Sequence, residues 1–233
     1  MRWRSTRVSC PRPPTARSLA SAPSGTSFDR LLALLVGEGL SGKVVLDVGT
    51  GAGRLALELA PRCRRVIGLD RDTAAIEEAR ARAARGRLTN VEFVVLDAEA
   101  GEYAAFAPDL VTAHLCVSDA IIERAGRVLG PGAGLGFVAF HADHWLETGR
   151  RSRFAYDQVQ AERALAGSGF AVERLEVARH VQTFGSVQEG LAAAIALQEK
   201  WTTDGRWFHY VKFLEEGGRT LTRSHLICFA RRR

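Results

Sequence analysis

The chain is poor in lysine, has no paired cysteines and has no long apolar run. Its four cysteines, Cys10, Cys63, Cys116 and Cys228, are scattered, with no C-x-x-C pair and no histidine at ligand spacing. That argues against a disulfide scaffold or a zinc site and fits a reducing, cytoplasmic setting. No window approaches the roughly 18 apolar residues of a membrane span. Walker phosphate loops and nucleophile elbows are also absent. Only Lys43, Lys200 and Lys212 supply ammonium groups, so the formal charge of +6 is almost wholly arginine. Residues 1–28 hold five Arg and no acid, the chain ends on Arg231, Arg232 and Arg233, and 29–230 carries 24 basic and 26 acidic residues. The body is slightly acidic, so the positive charge is expected on solvated tails and nucleic acid is not the expected partner.

What is there reads as one α/β domain after a tail. Residues 1–26 are rich in Arg, Ser, Pro and Thr without hydrophobic periodicity and read as disordered; 27–233 reads as a single domain. A helix follows Ser27 and closes at Gly37 and Gly39. Short, nearly all-apolar strands at 43–48, 65–69, 91–96, 109–115 and 134–140 alternate with helices at 53–60, 72–85 and 118–129. Such alternation means a doubly wound, mostly parallel sheet with helices on both faces. Beyond it come a loop at 141–156, a helix at 157–167, a strand near 170–181, two helices near 186–201 and 205–216, and a last strand at 220–229. That last strand is expected to run antiparallel beside strand five, giving seven strands. The aromatic-rich stretch 185–218 is expected to form a helical lid, or to pack on the sheet as ordinary amphipathic helices.

The chemistry concentrates in Val44-Val45-Leu46-Asp47-Val48-Gly49-Thr50-Gly51-Ala52-Gly53-Arg54. A β-branched run, an acidic residue and three alternating glycines precede a helix. That is a strand, a tight turn and a helix opening, with bare backbone for a ligand. The spacing is G-x-G-x-G, with Arg54 where the dinucleotide fingerprint places its third glycine. Asp70 closes strand two, where a carboxylate can accept both hydroxyls of a ribose. Asp97 closes strand three. Three carboxylates thus stand at successive carboxyl ends of strands, where open α/β sheets bind ligands.

Residues 27–230 resemble the class I S-adenosylmethionine (SAM) dependent methyltransferases of the small-molecule type. The resemblance implies a SAM site, with S-adenosylhomocysteine as product. Gly49, Thr50, Gly51 and Gly53 would pass under the methionyl part, and Asp47 would orient the loop and the amino group. Asp70, with Arg71 beside it, would hold the ribose. Asp97 and the Ala98 N–H would meet the adenine. His114, at the end of strand four, would face the reacting sulfonium and position the acceptor or take its proton. His141, Asp143 and His144 follow strand five; a substrate contact, through His144 above all, is expected there and no metal is assigned. No Asn/Asp-Pro-Pro-Tyr clamp and no Pro-Cys nucleophile appear at His114-Leu115-Cys116-Val117, which argues against adenine-N6 and cytosine-C5 chemistry.

The expected activity is methyl transfer to a small molecule. Three other readings stay open. In the first, an RNA methyltransferase uses Arg150-Arg151-Ser152-Arg153 as a phosphate patch. A nicotinamide oxidoreductase would share Gly49, Gly51 and Asp70 but leave Asp97 unexplained. A non-catalytic partner built on the same fold would bind cofactor without turnover, or not at all.

Overall fold

The computed structural model describes residues 25–233; the tail expected at 1–26 therefore lies almost wholly outside the described residues. Helix α1 (Ser27–Gly37) starts at a reciprocal cap. The Asp29 N–H donates to the Thr26 hydroxyl, and the Asp29 carboxylate accepts the Thr26 N–H. Such a cap satisfies donors that the first helical turn leaves free. Phe28, Leu31 and Leu35 recur at helical spacing and bury one face.

Strand β1 (Val44–Val48) is buried at every position and lies parallel to β2 (Arg65–Asp70) on one side and β4 (Leu110–His114) on the other. The chain steps outward to β3 (Val91–Val95), returns to β4 and continues to β5 (Gly134–His141). The order is β3-β2-β1-β4-β5-β8-β7, where β7 is Phe170–Thr183 and β8 is Thr220–Arg232. β8 is antiparallel to both of its neighbours, as expected for the last strand. A two-residue strand, β6 (Ala155–Tyr156), pairs with the end of β5 and makes the sheet eight-stranded rather than seven. A strand this short carries no periodicity for sequence reading to detect.

Helices α2 (Arg54–Leu59) and α3 (Thr73–Arg85) join α1 over one face, with Leu55, Leu59, Ile76 and Ala79 in a shared core. Helices α4 (Asp119–Val128) and α5 (Gln158–Gly167) cover the other face through Ile121, Ile122, Ala161 and Leu165. Pro61 does not end the chain's helical course at once: it opens a 3-10 turn at Ala60–Arg62, where a missing N–H is tolerated.

Between β7 and β8 the chain forms α6 (Val187–Ala194), a 3-10 turn (Ile195–Leu197), α7 (Gln198–Thr203) and α8 (Arg206–Glu215). The single helix expected at 186–201 is thus broken. No Gly or Pro marks the joint, so local sequence gives no sign of it. Trp201, Tyr210 and Leu214 bury among themselves with Phe184 and Leu221, and Trp145 and Trp207 pack against them. Most of the aromatic stretch thus builds a small core of its own.

Arg231 and Arg232 are not part of a solvated tail, contrary to expectation, whereas Arg233 is exposed. The Arg231 guanidinium donates to both Glu38 and Glu173, and Arg232 donates to the carbonyls of Gly126 and Gly169. Extended β8 carries them into the fold, where carboxylates far away in sequence meet them. Replacing Arg231 by Ala is expected to cost about 1 kcal/mol in urea unfolding, because partly exposed ion pairs contribute little singly and these act as a network.

Candidate active site

The sheet reverses its winding between β1 and β4, and open α/β sheets bind ligands outside the carboxyl ends of strands at such a point. A cavity of about 180 Å³ opens there, and Gly49, Asp70, Arg71, Asp97 and Ala98 all line it. Five of the nine residues expected at the cofactor thus meet around one space.

The other four do not line it. Asp47 points into the fold beneath α2, 1 % exposed, and its carboxylate accepts the Thr50 hydroxyl at 2.6 Å. Burial pushes the Asp47 carboxyl up to about 7; the Thr50 hydroxyl and the Ala56 N–H pull the other way, and the Asp70 charge adds to the rise. The Thr50 N–H donates to the Leu69 carbonyl at 2.8 Å, and the Gly51 N–H to the Asp70 carboxylate at 2.8 Å. The second Asp70 oxygen accepts the Asp72 N–H at 3.0 Å, so one side chain ties the glycine loop to the start of α3. A Cβ on Gly53 would stand 2.8 Å from the Phe93 ring, so this glycine is fixed by packing.

Gly49 and Gly51 differ in what their bareness serves. Both hold left-handed backbone, φ +65° and +54°. A Cβ on Gly49 would lie 2.2 Å from the Cys116 sulfur, whereas one on Gly51 would meet nothing within 4 Å. Gly49 therefore admits the chain leaving β4, and Gly51 faces open space. The Cys116 thiol donates to the Val48 carbonyl at 2.9 Å, and burial raises its pKa to about 12, so it is no thiolate nucleophile. Leu115 before it sits at φ +64°, rare for a branched side chain, and turns the chain under the loop.

On the far wall the Asp97 carboxylate accepts the Glu99 N–H at 2.8 Å, and the Ala98 carbonyl accepts the Tyr103 hydroxyl at 2.6 Å. The Ala98 N–H has no backbone partner among the described residues. Cys116, Ile121, Arg153 and Phe154 also line the cavity, and none of them is expected at the cofactor from the sequence. Arg153 pairs with Glu99 at 2.9 Å and lies over the Phe154 ring at 3.9 Å. The irregular loop at 141–156 is the only sequence signal for that pair.

Neither histidine lines this cavity. His114 packs edge-on against Phe28 at 5.4 Å. Burial, with His225 and Arg54 nearby, lowers its pKa to about 4, and its Nε2 is buried without a partner. His144 stacks on His225 at 5.0 Å, and its Nδ1 is engaged by the Ser224 backbone. Burial lowers it to about 3. Among the described residues no three His, Cys, Asp or Glu side chains gather as a metal site, and no helix is long and apolar enough to cross a membrane.

The family description “Methyltransferase domain” matches residues 40–210, well over half the chain. The chain belongs to the methyltransferase domain family. Within it the fold is that of the class I SAM-dependent methyltransferases. The YcgJ protein of Bacillus subtilis superposes with a TM-score of 0.69 at 16% identity, over 88% of this chain and 99% of that one. Curated relatives match shorter stretches. A ubiquinone biosynthesis O-methyltransferase of Acinetobacter baylyi is 32% identical over 42% of this chain and 44% of its own length. A tRNA (uracil-5-)-methyltransferase homolog A of Mus musculus is 38% identical over 36% of this chain and 14% of its own. The chain thus spans less than half of either relative.

Proposed function

We propose that this methyltransferase transfers a methyl group from SAM to a small-molecule acceptor. The observation that carries this reading is the convergence of Gly49, Asp70, Arg71, Asp97 and Ala98 on one cavity at the sheet's switch point. The residues fit the cofactor. Open space beside Gly51 leaves room for a methionyl chain, and the buried Asp47 suits a cationic ammonium. Each Asp70 oxygen accepts one N–H and keeps a lone pair for a ribose hydroxyl. The Ala98 N–H is free for an acceptor on the adenine edge. Bound SAM supplies a methyl already activated on its sulfonium, so the protein's part is alignment and exclusion of water.

Of the two histidines, His114 stands at the end of β4, two residues before the cavity-lining Cys116. It is neutral at pH 7, and an imidazole of such low basicity orients a hydroxyl rather than strips it. His144, held by Ser224, acts through His225 as a support. Arg150-Arg151-Ser152-Arg153 makes a poor RNA patch. Arg150 donates to the Asp204 carbonyl, Arg151 to Gln160 at 2.6 Å and Arg153 to Glu99.

Thermal unfolding with S-adenosylhomocysteine, SAM, NAD or NADP tests the reading. A ligand at about 100 times its Kd adds roughly 2.7 kcal/mol of stability. The expected result is a midpoint shift with the two adenosyl-sulfur ligands alone. A shift with NAD or NADP alone overturns the assignment of Asp97 and the glycine loop. No shift with any of them favours a non-catalytic protein of this fold.

A further inference from the structure

A second cleft, of about 430 Å³, lies between the start of α1 and the β7–β8 edge, lined by Arg30, Arg179, His180, Arg223 and His225. It sits at the same end of the sheet as the cavity. His225 registers with Phe140, next to the last residue of β5, and with Ala178 of β7. His114 lines neither space but has neighbours in or beside both linings. Two residues after it, Cys116 lines the cavity. On its other side, His114 packs on Phe28, and the adjoining Ser27 hydroxyl is 2.7 Å from Nδ1 of His225 in the cleft.

The three arginines are not equivalent. Arg30 pairs with Glu176 at 2.7 Å and Arg179 with Asp143 at 3.5 Å, so a carboxylate already answers each charge. Among the described residues the Arg223 guanidinium has no ion-pair or hydrogen-bond partner. A planar fork of donors left over in a cleft matches a carboxylate or phosphate. Val177 gives the same cleft an apolar wall for the body of such a molecule.

We propose that the methyl acceptor carries an anionic group, carboxylate or phosphate, and that this cleft seats it with Arg223 as its principal contact. The proposal rests on the methyltransferase reading. One unanswered cation suits one anionic group on a small molecule. It does not suit a polynucleotide, whose binding needs a track of free cations, and the arginines at 150, 151 and 153 are engaged elsewhere.

The test is calorimetric titration of the full chain, saturated with S-adenosylhomocysteine, with phenyl phosphate, 4-hydroxybenzoate and neutral 4-hydroxybenzamide. At least one anion is expected to bind saturably, and the amide about tenfold or more weaker. Arg223→Gln is expected to lose about tenfold or more in affinity for the anion, Arg223→Lys to recover part of it, and both to bind S-adenosylhomocysteine like the parent. Arg223 is exposed, so neither change threatens folding. The proposal is overturned if the amide binds as well as the anions, if no anion saturates below about 10 mM, or if Arg223→Gln binds unchanged. Displacement of the anion by a tRNA transcript, with a steep salt dependence, overturns it in favour of a polynucleotide site. Should S-adenosylhomocysteine itself fail to bind, the methyltransferase reading falls, and titration of the ligand-free chain still decides whether the cleft takes anions.

Discussion

Asp70→Ala is expected to lower the affinity for S-adenosylhomocysteine by about 100-fold or more, measured by calorimetric titration. Two losses add. A carboxylate facing a ribose makes charge-assisted hydrogen bonds, each of about 1.5–3 kcal/mol, and about 1.4 kcal/mol is tenfold in affinity. The same side chain accepts the Gly51 and Asp72 N–H groups, so its removal also loosens the glycine loop against the start of α3. Stability should fall far less, by about 1–2 kcal/mol, because Asp70 is only half-buried and water can replace it at those donors. Asp70→Asn separates the two losses. Its one carbonyl oxygen can keep Gly51 or Asp72 but not both, and it brings no charge to the ribose. An intermediate affinity is expected. A folded Asp70→Ala chain that binds the cofactor like the parent would remove Asp70 from the site.

How much of this was legible depended on distance along the chain. Asp47, Gly49, Gly51, Asp70 and Asp97 stand at strand ends, where period, turn chemistry and topology all act locally, and sequence spacing placed them near one another. Arg153 and Phe154 reach the cavity from a loop 56 or more residues beyond Asp97, guided by a pair with Glu99 that no periodicity announces. Arg231 looked like a solvated end because its partners, Glu38 and Glu173, become neighbours only once β8 is paired. His144 looked like a rim residue. Its ring instead turned inward, where Ser224, 80 positions away, supplies the backbone that holds it. The same blindness applies to Gly49. The motif marks it as a ligand glycine, but the atom that forbids a side chain there is the Cys116 sulfur.

The buried Asp47 carboxyl makes both stability and cofactor affinity depend on pH, in opposite senses. Its pKa in the fold, about 7, lies above its value of 3.8 in the unfolded chain. The folded state therefore holds the proton longer, and the contribution of Asp47 to stability is full below about pH 4 and falls as pH rises toward 7. A tenfold difference in proton affinity between the folded and unfolded chain is worth about 1.4 kcal/mol, so a gap of this size costs about 4 kcal/mol in all. Urea unfolding at pH 5 and pH 8 should show most of it as a difference between the parent and Asp47→Asn, which cannot ionise. Taking that difference cancels the other carboxyls. Cofactor binding runs the other way. On the proposed SAM reading a cationic ammonium held by the loop would favour the ionised carboxylate, so affinity for S-adenosylhomocysteine should rise with pH up to about 7 and level off, and Asp47→Asn should bind weakly and without that rise. On the proposed SAM reading, the charge that destabilises the fold at neutral pH would be answered by the cofactor's ammonium. A parent whose stability and affinity both ignore pH between 5 and 8 would show that Asp47 keeps one protonation state throughout and that its role is confined to bonding Thr50 and Ala56.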